Sequence, residues 1–158
     1  MWYSSRGKPG GISSGVPVAY WKPGIASGSQ IFITEGSLKA AVAAWHLGAH
    51  VIGVPGVSNW RRALDLLPPK VAVTIAYDAD ADTNPLVARQ QLELVRALFW
   101  AGHRVAIASW DCRYKGIDDA ILAGLAINLN EWPGGCHTLP LRREGALPAM
   151  ARHMEARQ

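Results

Sequence analysis

Half of the carboxylates in this 158-residue chain fall in three short clusters: Glu35, then Asp78, Asp80 and Asp82, then Asp118 and Asp119. Asp78 and Asp80 are two residues apart, so in an extended segment both side chains project to the same side. Two like charges held that close repel each other unless a cation neutralises them. Replacing both with asparagine is therefore expected to leave the metal-free fold as stable as before, or slightly more so. Donors that are all oxygen, with no Cys or His beside them, favour Mg²⁺ or Mn²⁺ over zinc. Mg²⁺ commonly takes one or two carboxylates and completes its shell with water and substrate phosphate, which is what such a pair offers. Glu35 can act as a third ligand, or as the general acid or base that handles a hydroxyl proton. The competing reading is structural: an Asp-x-Asp at a strand end is often a turn with helix-capping residues, and a lone Glu-Gly says less still.

What gives the clusters weight is where the chain places them. Apolar, β-branched segments predict strands near 31–34, 51–54, 71–77 and 104–108. Helical spacing predicts helices over 36–47, with Leu38, Val42, Trp45 and His46 in phase, and from about Asn84 to Ala101, with Leu92, Val95, Leu98 and Phe99 facing inward. Shorter helices are expected through Arg61, Arg62 and Leu64, capped by Ser58 or Asn59, and over 117–124. Strands joined by helices of this length predict an α/β fold: an open, mainly parallel sheet with helices on both faces. Each acidic cluster then follows a strand, the third introduced by Lys115-Gly116, and functional groups of open parallel sheets gather at those carboxyl ends. Gly36 suits the tight turn after Glu35, and the helix start beyond it favours an anion. Residues 1–29 read as an irregular hairpin, 30–125 as the α/β body, and 126–158 as a peripheral coil and helix.

Composition sets the outer limits. A hydrophobic fraction of 49% and a charged fraction of 18% suit one globular domain. No apolar run approaches the roughly 20 residues of a membrane span, and no signal pattern opens the chain, so a cytoplasmic protein is expected. Cys112 and Cys136 form neither a CxxC nor a disulfide framework and read as free core thiols. The net charge is +4; without the six clustered acids, sixteen basic residues face six acidic ones, a surplus of ten. Such a body suits a polyanionic partner, single-stranded DNA or RNA, although +4 alone is ordinary for a small domain. Arg6, Lys8, Arg61, Arg62 and Arg113 are the candidates for a phosphate-tracking rim, against the reading that they are solvated charges. Trp2, Trp21 and Trp60 are candidates to stack on bases, while Trp45 and Trp100 are expected in the core. His46 and His50 have metal-like spacing, but Gly48 between them points to a helix end.

The segments Ile33-Thr34-Glu35-Gly36, Ala76-Tyr77-Asp78-Ala79-Asp80 and Lys115-Gly116-Ile117-Asp118-Asp119 resemble, in this order, the three motifs of the toprim domain. That domain is shared by bacterial-type primases, type IA and II topoisomerases, overcoming-lysogenization-defect nucleases and small RNA-maturation nucleases. Glu35 to Lys39, Gly53-Val54-Pro55-Gly56-Val57 and Asn59-Trp60 are similar to a subgroup found in plasmid, phage and mobile-element primases and primase–helicases. The likeness spans roughly residues 3–125. It implies acid/base work for Glu35, Mg²⁺ held by Asp78 and Asp80 (Mn²⁺ able to substitute), and Asp118 as a further acidic contributor to the metal site. Lys115 and Lys39 would offset phosphate charge in the transition state. Lys39 stands where many primases carry an acidic or neutral residue, which would let it meet phosphate. No zinc module, larger catalytic subdomain, helicase or strand-cleaving tyrosine domain fits in this length. The expectation is primase-like nucleotidyl transfer in mobile-element DNA replication, with nucleotides as substrates and a helicase, another replication protein or further domains as partners. A metal-dependent nuclease and a non-catalytic nucleic-acid-binding module are the alternatives.

Overall fold

Isoleucine, valine and threonine dominate the segments around residues 31–34, 51–54 and 71–75, and their branched side chains suit a pleated surface buried on both sides. In the computed structural model, which describes residues 17–23, 30–79 and 83–139, these segments form the middle of a seven-stranded sheet. The elements in chain order are β1 (Ala19–Trp21), β2 (Gln30–Glu35), α1 (Ser37–Leu47), β3 (His50–Val54), a 3₁₀ turn (Val57–Asn59), α2 (Arg61–Leu64) and β4 (Ala72–Ala76). They continue with α3 (Pro85–Trp100), β5 (Arg104–Ser109), α4 (Ile117–Leu122), β6 (Ile127–Trp132) and β7 (Cys136–Leu139). The strand order is β1-β3-β2-β4-β5-β6-β7.

The α/β class holds, but the sheet is mixed and not mainly parallel. β3, β2, β4 and β5 run parallel, whereas β1 pairs antiparallel with β3, and β6 and β7 add antiparallel pairs beyond β5. Residues 127–139, expected to be coil, are thus part of the sheet. The length of α4 explains the change of direction. Six helical residues rise only about 9 Å, whereas returning the chain to the start of a six-residue strand takes roughly 20 Å. The next strand therefore starts from the end where β5 finished, and must run the other way.

Two apolar layers close on the sheet. Ile31, Ile33, Ile52, Val54, Val73, Ile75 and Tyr77 meet Ala63 of α2 and Val87, Leu94, Val95 and Leu98 of α3. Phe32, Val51, Ala76, Ala106 and Ala108 meet Ala40, Ala43 and Ala44 of α1 and Ile117, Ala120 and Ile121 of α4. The inner faces differ in part from those expected, although Val95 and Leu98 of α3 are buried as expected. The α3 stripe runs at i, i+7, i+8 and i+11 from Val87, leaving Leu92 and Phe99 partly exposed. α1 turns its alanines inward and leaves Leu38 and Trp45 outside. The cause is the close approach of α1 to β3. A Cβ on Gly53 would lie 2.6 Å from the Gly36 carbonyl oxygen and 2.9 Å from Ala40 Cβ, so only small residues fit between them.

The aromatic assignments are corrected likewise. Trp100 is 82% exposed, and Trp60 is buried with its Nε1–H donating to Gln90 Oε1 at 3.1 Å, so it offers no face to a base. Cys112 is exposed and not a core thiol. Trp60, not Ser58 or Asn59, stands at the N-cap of α2, with no side-chain cap bond, whereas Asn84 caps α3 by accepting the Leu86 N–H at 3.1 Å ahead of Pro85. Among the described residues, no helix is long and apolar enough to cross a membrane.

Candidate metal and phosphate site

Four of the expected site residues gather at one corner of the carboxyl edge of the parallel strands. Asp78 lies two residues beyond β4 and is 5% exposed. A carboxylate buried that far needs a counter-charge, and it has two. The Lys39 ammonium, from the first turn of α1, pairs with Asp78 Oδ1. Lys115 Nζ stands 3.7 Å from Oδ2. A backbone bond fixes the arrangement: the Ala79 N–H donates to the Lys115 carbonyl at 2.9 Å, tying the chain after β4 to the loop before α4.

Asp118 belongs to the same corner. A Cβ on Gly116 would collide with Asp118 Oδ1 and lie 3.1 Å from Lys39 Cε, so both side chains crowd against this glycine. Asp119 does the capping, its Oδ2 accepting the Gly116 N–H at 3.4 Å. That leaves Asp118 free of the structural task, and its Oδ1 is buried without a hydrogen-bond partner. A buried carboxylate oxygen with no donor is a natural place for a cation or an ordered water.

Glu35 ends β2, at the same edge of the sheet and next to the strand that leads to Asp78. It follows the alternation of Ile31 and Ile33, so its side chain belongs to the α3 layer, whereas Lys39 rises from the α1 layer. Its neighbour there is Tyr77. Burial chiefly, with the Glu35 charge adding to it, holds the Tyr77 phenol well above its usual range. The phenol donates to the Val57 carbonyl at 3.5 Å. Gly36, at φ 87°, turns the chain out of β2, and its N–H donates to the Val54 carbonyl at 2.8 Å.

The donor chemistry fits a hard divalent cation, with Asp78 and Asp118 supplying oxygens and no nitrogen or sulfur ligand between them. Among the described residues no three acidic, His or Cys groups stand close enough to hold a metal ion unaided. Mg²⁺ ordinarily draws the rest of its shell from water and phosphate. Asp80, Arg6 and Lys8 lie outside the described residues.

The rim is uneven. Arg61 lies over the Trp60 ring at 4.4 Å and 3.7 Å from Glu93 Oε2, and Arg62 beside it is exposed. Arg113 is engaged locally. Its Nε is 3.0 Å from both oxygens of Asp111 and its Nη2 is 2.6 Å from Oδ2, which holds the Asp111 carboxyl down at about 2. Sequence reasoning placed Tyr77 and Gly116 in the motifs but gave neither a role of its own. Tyr77 ends an almost unbroken apolar run in which no alternation tells one face from the other. Gly116 sits between a lysine and an acidic helix start, and that juxtaposition was its available signal.

A family model described as "Domain of unknown function (DUF3854)" matches residues 20–126, from β1 to just past α4, and so takes in Glu35, Lys39, Asp78, Lys115 and Asp118. No curated protein and no solved structure matches the chain.

Proposed function

The chain belongs to the DUF3854 family, and from the geometry of this member we propose a toprim-type, Mg²⁺-dependent catalytic domain acting on nucleic acid, with primase-like nucleotidyl transfer as its reaction. One observation carries the reading. A buried carboxylate at the end of a central parallel strand is clasped by two lysines, beside a second carboxylate with an unsatisfied oxygen. Asp78, Asp80 and Asp118 would hold Mg²⁺, with Mn²⁺ able to substitute. Bound there, the ion would draw charge from phosphoryl oxygens. Lys115, exposed and loosely held, supplies positive charge to a phosphate arriving from solvent. Glu35, one strand away, accepts the proton of an attacking hydroxyl. The buried Tyr77 phenol below Glu35 stays neutral and so adds no competing charge.

Incubation with Mn²⁺, labelled nucleotides and a single-stranded template tests this. Extension of labelled product, abolished by Asp78→Asn, is expected. Shortening of the template instead would convert the reading to a nuclease using water as nucleophile. Retention of the strand without turnover would leave a binding module.

A further inference from the structure

We infer that Lys39 makes this site selective for a divalent cation that already carries phosphate, over the bare cation; the inference rests on the function just proposed. The two ammonium groups on Asp78 are not equivalent. The Lys39 side chain is 26% exposed, and its stem is walled in by Gly116, where an added Cβ would meet Cε at 3.1 Å and Cδ at 3.3 Å. Lys115 reaches in from solvent, 70% exposed and 3.7 Å from Oδ2. One positive charge is therefore built in, and the other can move.

Both oxygens of Asp78 already face an ammonium, Lys39 on Oδ1 and Lys115 on Oδ2. A bare divalent cation would face an ammonium fixed on the same carboxylate it must bind. A cation bearing pyrophosphate or a nucleotide triphosphate tail brings its own anionic oxygens. Lys115 can leave Oδ2 for those oxygens and open that atom to the cation, while Lys39 keeps Oδ1 covered. Cation and phosphate each improve the site for the other, and such coupling is reciprocal. Lys39 acts here as a positioning and selecting residue. It does not meet phosphate itself, which replaces the role expected of it from sequence.

Calorimetric titration of the full chain with Mn²⁺ alone, and separately with Mn²⁺–pyrophosphate, tests the inference on the wild type, Lys39→Met and Lys39→Gln. The wild type should prefer the complex by at least about tenfold. Removing the Lys39 charge should tighten binding of bare Mn²⁺ by about tenfold and shrink that preference. Lys39→Gln keeps an N–H for Oδ1 and gives the answer if the methionine variant does not fold. A purely structural lysine would weaken both ligands together on replacement, and that result overturns the inference. So does a wild type that binds bare Mn²⁺ as tightly as the complex, which leaves the metal site standing. Binding of neither probe to the wild type overturns both the inference and the proposed function.

Discussion

Lys39 and Lys115 stand on the two oxygens of the buried Asp78 carboxylate. The spacing of Asp78 and Asp80 suggests strain that neutralisation would relieve, but an ion pair changes the sign. Asp78→Asn removes the partner of a largely buried lysine. It should lower metal-free stability by about 1–2 kcal/mol, a figure discounted from fully buried pairs because Lys39 retains some solvent. Urea unfolding in EDTA measures it, and an unchanged midpoint would mean the pair contributes nothing. Tyr77 yields a prediction of a different kind. The native state holds its phenolic proton more tightly than the unfolded chain, whose phenol titrates near 10. That stabilisation is complete below this pH and is lost as the pH rises toward the native value. Tyr77→Phe should therefore flatten the alkaline fall in stability while costing little near neutrality, since the bond to Val57 is long. Denaturant midpoints from neutral to alkaline pH decide it. The acidic residues were legible because charge is conspicuous in an apolar strand pattern. Their pairing with Lys39 was not, because it depends on which side of the sheet α1 covers.

Helices and central strands were legible as elements, and half of the α3 face with them, whereas the face of α1 was not. Leu38, Val42 and Trp45 have helical spacing, but so do Ala40, Ala43 and Ala44, and a periodicity weighted by side-chain size selects the wrong set. The deciding residue lies on another element. Gly53 of β3 lets the helix approach so closely that only methyl groups fit beneath it. Gly53→Ala should accordingly cost about 1–3 kcal/mol, because the obstructing Gly36 carbonyl belongs to the backbone and cannot rotate aside. Leu38→Ala, on the outer face, should stay within about 0.5 kcal/mol of the wild type. Comparable losses from the two would mean that α1 packs through its large residues after all. β6 went unread for a related reason. Ile127-Asn128-Leu129-Asn130 alternates as a strand should, with Ile127 and Leu129 buried, but a search for helical crossovers gives such a segment no place. Only the shortness of α4, set against the length of β5, predicts an antiparallel neighbour there.

At the scale of the whole molecule, Arg61 and Arg62 can be tested apart from the Asp78 corner and without any chemistry. If the surplus forms a nucleic-acid rim, single-stranded DNA should bind in EDTA, and its affinity should fall with salt by about 0.7 in log K per log unit for each phosphate neutralised. Of the described rim candidates, Arg61 and Arg62 are less engaged than Arg113. Arg62 is exposed, and Arg61 is spread over Trp60 with only a 3.7 Å, solvent-accessible pairing to Glu93, of a kind worth little in water. Arg113 is the internal comparison, since Asp111 already meets its guanidinium on two oxygens. Replacing Arg61 and Arg62 together with alanine should weaken binding alike for all sequences and make the salt slope shallower, because contacts to phosphate carry no base information. Arg113→Ala should change the slope less. Neither replacement should alter the affinity for Mn²⁺–pyrophosphate, whose ligands lie at the Asp78 corner. Fluorescence anisotropy over a salt series reads the slopes. An Arg113 effect equal to that of the Arg61 and Arg62 pair would show that local ion pairing does not decide which arginines meet the strand. Absence of binding at low salt would remove single-stranded DNA from the proposal.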